Sequence, residues 1–357
     1  MPAKLKKKCI GLDLGHSQIK IVEVEETQLG WRLLRAIKVP TPLNTISDCT
    51  VVEPVELANF LKTLFKQHKI TTTACHVGVS SSSVVVRTVK MPRMAEEALR
   101  RSIKFEAGRF IPNSVEDSYV EFEILGDADE EGQMNVLVVA APRELVDSRI
   151  QACTLAGLVV EGVDFEPFAA YRSLIEYDNL RGWEEETFAF VNIGSHITSV
   201  NIVSNGQFML SRTIMQGGRT LTDNLAHFFK ISEPDAERGK AQLSVAELIA
   251  DIPIENPPLK VIQPSLEELV RELKRTFNYL QSQGSESVPP ITRMVLCGGG
   301  AELKGLGQYL SAKLDLDVLT LGVLDNPRFT YLGTDELGTG TDLAVATGLA
   351  MREVQAA

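Results

Sequence analysis

Short runs of alternating apolar and polar residues open the chain. Residues 9–14, 18–25 and 31–39 each read as a strand. A glycine turn separates the first pair, and residues 26–30 turn the chain again before Trp31. The same pattern returns half a chain later, at 187–193, 197–203 and 207–214. There Asn205-Gly206 supplies a strong hairpin turn. Asp13-Leu14-Gly15 and Asn192-Ile193-Gly194 hold the same place in the two meanders. This repeat predicts two lobes built on one plan.

Between and after the meanders the period changes to that of helices. Residues 54–68 place Val55, Leu57, Ala58, Leu61, Leu64 and Phe65 on one face. A strand at 75–79 follows. The order then becomes strand 84–89, helix 95–109, strands 118–125 and 134–140, helix 143–156 and strand 158–163. That predicts an α/β insert over 83–160, with residues 127–132 as a solvated acidic tip. Helices follow at 166–177, 220–229 and 236–243, with 181–186 as a linker and 251–258 irregular. Residues 266–281 form an amphipathic helix, for which Ser265 and Glu268 suggest a capping box. A strand at 293–297 runs into Gly298-Gly299-Gly300, and helices at 303–314 and 343–352 close the chain. Strands alternating with helices predict an α/β fold. Its expected parts are a first lobe (1–82 plus 161–185), the insert, a second lobe (186–216 plus 289–357) and a helical subdomain (217–288) closing a cleft.

Composition narrows the function classes. The chain has 357 residues, 44% hydrophobic and 23% charged, with a formal net charge of −11. The acidic balance argues against nucleic-acid binding. Lys4, Lys6, Lys7 and Lys8 form the one basic cluster, read as a solvated tail or a weak contact with an acidic partner or lipid surface. No run reaches the roughly 18 apolar residues of a spanning helix. The start also lacks the core of a signal peptide, so a cytoplasmic chain with no direct membrane insertion is expected. Cys9, Cys49, Cys75, Cys153 and Cys297 are widely spaced and read as reduced, buried small hydrophobes.

Four stretches could carry chemistry. In the first turn a strand delivers Asp13, and Gly15 leaves backbone amides open to an anion. Ser17 adds a hydroxyl and Lys20 a positive charge. Asp13 would hold a phosphate-bound Mg²⁺ mostly through water. The plain alternative is a hairpin with a polar turn. In the second turn, Gly194 and Ser195 could face the first and clamp a triphosphate. His16 and His196 lie in these turns as polar groups, with no second metal ligand at useful spacing. In Asp164-Phe165-Glu166-Pro167, Glu166 starts a helix, where an acid complements the dipole and could also order water near Mg²⁺. The three glycines after strand 293–297 would let backbone meet a flat ring or a phosphate.

Taken in order, the Asp-Leu-Gly turn, the Glu-Pro-x-Ala-Ala helix, the Asn-Ile-Gly turn and the Gly-Gly-Gly strand end resemble the actin, heat-shock-70 and sugar-kinase superfamily. The resemblance implies a two-lobed actin-like ATPase fold with ATP and Mg²⁺ between the lobes. It assigns Asp13, Gly15, Ser17 and Lys20 to phosphate and Mg²⁺, and His16 of the same turn is counted with the nucleotide-binding residues. Gly194 and Ser195 would serve the second turn, Glu166 the attacking water, and Gly298, Gly299 and Gly300 the adenosine. Glu237 and Lys240 match more loosely an adenosine-contacting Glu-x-x-Lys. The insert, and the stretch Gly217-Gly218-Arg219-Thr220-Leu221-Thr222, are similar to the FtsA and PilM branch. The ending, Gly348-Leu349-Ala350-Met351-Arg352, resembles the PilM family.

One departure stands out. The superfamily usually carries Asp where this chain has Asn192, so binding is expected with at most weak ATPase activity. Likeness to PilM implies an adaptor of type IV pilus assembly. Its expected partners are the cytoplasmic N-terminal tail of a PilN-like membrane protein and other pilus alignment-complex and motor proteins, with self-association also in view. It would lie peripheral to the inner membrane. The alternative is an FtsA-like filament-forming ATPase.

Overall fold

The structure is a computed structural model. It describes residues 9–111, 114–128, 131–176, 178, 181–250, 255–282, 289–333 and 337–352. The four lysines near the start, part of the acidic tip and residues 353–357 lie outside the described residues.

Strands β1 (Ile10–Leu14), β2 (Gln18–Thr27) and β3 (Gly30–Pro40) form the first meander. A small hairpin of β4 (Ile46–Ser47) and β5 (Thr50–Val51), helix α1 (Pro54–Gln67) and β6 (Ala74–Val79) follow. The insert contains β7 (Val85–Pro92), α2 (Glu96–Ala107), β8 (Ser118–Asp127) and β9 (Gln133–Pro142). Helix α3 (Arg143–Leu155), β10 (Val159–Phe165) and α4 (Glu166–Tyr171) lead to the second meander, β11 (Thr187–Ile193), β12 (Thr198–Ser204) and β13 (Gln207–Ile214). Then come α5 (Gly218–Phe229), α6 (Glu233–Lys240), α7 (Pro257–Ser282), β14 (Arg293–Cys297), α8 (Leu306–Leu314), β15 (Asp317–Thr320), β16 (Phe329–Tyr331) and α9 (Ala344–Met351).

The two large sheets share one plan. Their strand orders are β10-β6-β1-β2-β3-β16 and β13-β12-β11-β14-β15. In each, an antiparallel meander is extended by two parallel strands on the side of its first strand. Duplication of the meander therefore extends to the strands beyond it.

Three expectations change. First, the insert is smaller than residues 83–160. Its three-stranded sheet, β7-β9-β8, ends at Pro142, and its own core includes Leu99, Ile103, Met134, Val136 and Val138. Helix α3 instead packs on α1, and β10 runs parallel to β6 in the first sheet. Parallel neighbours need a crossover, and α3 supplies it. Second, the chain returns to the first lobe near its end. Strand β16 pairs with β3, and α9 lies against β1 and α4. Helix α9 is buried throughout. Its close approach requires Gly348, where an added Cβ would meet the Ala169 carbonyl oxygen at 1.6 Å. Third, α7 begins at Pro257 and runs through Pro264. Ser265 thus sits inside the helix and caps nothing at its start. Buried Leu259 and Ile262 anchor the turns before Pro264, and that packing offsets the ring's disruption.

Residues 181–186 do not form a free linker. Trp183 is buried, with its ring 5.0 Å from that of Phe188. It joins a core shared by both lobes, with Leu33, Phe190, Val295 and Leu343. All five cysteines are buried, and among the described residues none forms a disulfide.

Candidate functional site

Strand β1 lies between β2 and β6, so its C-terminal end opens where the two lobes meet. Asp13 sits near that end, opposite Lys20 in the β1–β2 register, and the two pair at 3.2 Å. Burial alone would lower the Lys20 pKa. The fields of Asp13 and Asp342 outweigh it, so the ammonium is held charged. Thr41 Oγ1 donates to the Gly15 carbonyl at 2.6 Å and fixes the turn.

The second turn meets the first. Ser17 Oγ and Ser195 Oγ lie 2.5 Å apart, and the His16 and His196 rings stack with centroids 4.1 Å apart. Burial, then the fields of His196 and Arg149, push the His16 pKa down to about 4. His16 is therefore neutral at physiological pH. The amides of Gly218 and Arg219 donate to the carbonyls of Gly194 and Ser195 at 3.0 and 2.8 Å, docking the start of α5 on this turn. Only glycine fits at 217, because a Cβ there would meet Ser195 O at 2.4 Å. Lys240 on α6 reaches back, donating to Gly218 O at 3.1 Å, Thr222 Oγ1 at 2.9 Å and Glu237 Oε2 at 2.8 Å.

The glycine run forms the second-lobe wall. Strand β14 pairs in parallel with β11, setting Cys297 beside Asn192. Gly298 then turns with φ 89°, and a Cβ there would meet Asn192 Oδ1 at 2.2 Å. Glu166 sits at the first position of α4, close against Gly78 of β6, where a Cβ would meet Glu166 Cγ at 2.7 Å. Burial, then the field of Asp13, push the Glu166 pKa up to about 7.

These walls enclose a cavity of about 470 Å³, within the usual range of roughly 300–1,000 Å³ for ligand pockets. Every residue singled out from the sequence lines it except Gly217, which buttresses the second turn from behind. Other lining residues escaped the sequence reading. Lys38 neighbours Lys20 in the β2–β3 register and pairs with Asp342 at 3.0 Å. The meander register could have found it. Asp342 comes from the returning end of the chain, which had no such signal. Arg149 on α3 is only 2% exposed. It stands on the helix face of Leu145, Val146, Ala152 and Cys153, and an arginine on an apolar stripe was a readable clue. Ser80, just after β6, is a fourth.

Two matching sheets, a glycine turn from each at their junction and a glycine-walled cavity between them define the actin-like ATPase fold. Comparison with known proteins agrees. The family model for "Type IV pilus assembly protein PilM" matches residues 11–354, and the chain belongs to that family. The solved "PilM-PilN type IV pilus biogenesis complex" is similar with a TM-score of 0.84 and 25% identity, covering 99% of this chain and 100% of that one. The ethanolamine utilization protein EutJ of Carboxydothermus hydrogenoformans gives a TM-score of 0.58 at 16% identity, covering 98% of this chain and 90% of that one. The cell division protein FtsA of Bacillus subtilis is 21% identical over 374 residues, covering 91% of this chain and 82% of its own.

Proposed function

We propose that this chain is a nucleotide-binding adaptor of type IV pilus assembly. It would hold ATP with Mg²⁺ in the interlobe cavity and bind the cytoplasmic N-terminal tail of a PilN-like inner-membrane protein, which would place it at the membrane's cytoplasmic face. The observation that carries the nucleotide reading is that both glycine turns, Glu166 and the Gly298–Gly300 run open into one cavity. A side chain at Gly217 or Gly298 would collide with the backbone that shapes it. Lys20, Lys38 and Arg149 supply positive charge along the first lobe. Among the described residues no cluster of three or more potential ligands could hold a metal by itself. Mg²⁺ would therefore arrive with the phosphates, whose charge it neutralises, and Asp13 would meet it through water. Among the described residues no helix is long and apolar enough to cross a membrane.

The partner reading rests on family membership and on the solved complex of a similar protein with PilN. The insert suits that task. It has its own core, its strand β8 is an edge strand, and Phe105, Tyr119 and Ile124 are exposed on it. An extended tail could add to that edge. Val85 and Ala140 pair across β7 and β9, so a short loop can replace the insert. A synthetic tail of the PilN-like partner should bind the full chain. It should fail to bind the loop-replaced variant, which should still bind Mg·ATP. Tail binding that survives the replacement would remove the insert from the interface. The filament-forming alternative is supported only by the likeness to FtsA.

Turnover should be feeble. Asp13 and Glu166 line the cavity, but the side chain over Gly298 is the amide of Asn192. An amide cannot act as a base. Asn192→Asp should raise single-turnover hydrolysis of bound ATP by part of the roughly 10²–10⁴-fold that such help is worth. Vigorous hydrolysis by the natural protein would show that the amide is not what limits it.

A further inference from the structure

Among the described residues, Arg149 is a buried charge without a contacting counter-charge. One Nη donates to the carbonyls of Cys49 at 2.5 Å and Leu145 at 3.3 Å. Its Nε has no partner. Glu166 and Asp13 act on it through space, but neither carboxylate forms an ion pair with it. Burying a guanidinium among neutral carbonyls is costly unless an anion completes the site. Ser80 repeats the pattern: it is 2% exposed, and its Oγ has no partner. Both side chains line the interlobe cavity, in company with Glu166, Asp13 and His16. If Glu166 faces the water that would attack a triphosphate, this corner is where the terminal phosphate lies. A phosphate oxygen can accept from a guanidinium and from a hydroxyl together.

Helix α3 has a second connection. It follows β9 of the insert directly. Arg143 Nε donates to Glu116 O at 2.8 Å, and Tyr119 Oη on β8 donates to Asp147 Oδ1 at 2.9 Å. The first two turns of α3 are thus tied to the insert, and the second of them also carries Arg149, which lines the cavity.

We propose that Arg149, together with Ser80 of the same cavity wall, binds the terminal phosphate of a nucleoside triphosphate and, through α3, makes the insert respond to whether that phosphate is present. This rests on the nucleotide-binding reading above. It adds a specificity contact for triphosphate over diphosphate and a physical route from the cavity to the insert. Coupling of this kind needs a differential contact in the two ligand states, and only the triphosphate would supply one.

The test is calorimetric titration of Mg·ATP and Mg·ADP into the full-length natural protein, Arg149→Gln and Ser80→Ala. Arg149→Gln should weaken Mg·ATP by about 10- to 100-fold, the range for hydrogen bonds to charged groups, and Mg·ADP by less than about threefold. Ser80→Ala should show the same selectivity with a smaller loss. Deuterium exchange across β8 should differ between the ATP- and ADP-bound natural protein, and that difference should vanish in Arg149→Gln. Equal losses for both nucleotides, or none, would overturn the contact. A selective loss with no exchange difference in the natural protein would overturn the coupling. Should Arg149→Gln not fold, Ser80→Ala decides: selective loss supports the contact and unchanged affinities refute it. A natural protein that binds neither nucleotide would overturn the nucleotide reading and this inference together. One that binds both, with variants losing both equally, would overturn the inference alone.

Discussion

Gly298→Ala is expected to lower stability by about 3 kcal/mol and to weaken Mg·ATP sharply, whereas Gly299→Ala should be near neutral for stability. Gly298 holds φ 89°, and its added Cβ would meet Asn192 Oδ1 at 2.2 Å and Ile193 O at 2.5 Å. With ψ at 166°, Gly298 lies in a region essentially open to glycine alone, where a side chain costs roughly 1–3 kcal/mol. Overpacking against well-fixed neighbours adds typically about 1–3 kcal/mol. The neighbours here cannot give way easily, since Ile193 ends a strand paired on both sides. Relief must come from the β14 end itself, and that would displace the glycine wall of the cavity. At Gly299 the nearest atom to an added Cβ is Asp342 Cβ at 3.9 Å, an ordinary contact. Thermal melts and nucleotide titrations of the two variants side by side provide the check. Matching behaviour in both would show that the turn tolerates a side chain at 298.

The second large effect concerns pH. Glu166 has its pKa raised from an ordinary 4.5 to about 7, by burial first and the field of Asp13 second. A carboxyl of this kind keeps its proton in the folded state where the unfolded chain has released it. Its contribution to stability is therefore full below pH 4.5 and is lost as pH rises towards 7. Glu166→Gln removes that loss. The variant should be more stable than the natural protein at pH 8, by on the order of 2 kcal/mol. The gap should shrink as pH falls towards 4.5 and vanish well below it, where the carboxyl is neutral in both states. His16 acts in the opposite sense, since its lowered pKa makes the fold less stable as pH falls from 6.5 towards 4. It is present in both proteins, so the difference between their pH profiles isolates Glu166. A constant gap across the range would mean that Glu166 is not held neutral by its surroundings. The same variant should also bind Mg·ATP, because its role there would be towards water rather than phosphate.

Much of this architecture was legible because it rests on local signals. Alternation marked both meanders, glycine marked their turns, and the motifs around Asp13, Glu166, Asn192 and Gly298, taken in order, resemble those of one superfamily. What stayed hidden depends on long-range packing. Three-residue β16 joins the first sheet from the far end of the chain, and so short a strand has no periodicity to read. Helix α9 is buried on all sides, so its apolar run carries no face that names its neighbours. Ser265 and Glu268 read locally as a helix start, but α7 begins at Pro257, with buried Leu259 and Ile262 in the turns before them. Residues 143–160 read as continuous with the insert, because sequence cannot show that β10 pairs with β6. The same continuity hides Arg149: α3 directly follows β9 of the insert, so nothing local shows its buried arginine reaching the cavity.

The central claim is that the interlobe cavity binds nucleotide in an adaptor of the pilus machinery. Isothermal titration of Mg·ATP into the natural full-length protein tests it most directly. The account predicts a single site with a dissociation constant of about 1 μM or tighter, corresponding to roughly −8 kcal/mol, and a matching rise in melting temperature. No heat and no thermal shift with either Mg·ATP or Mg·ADP would contradict it.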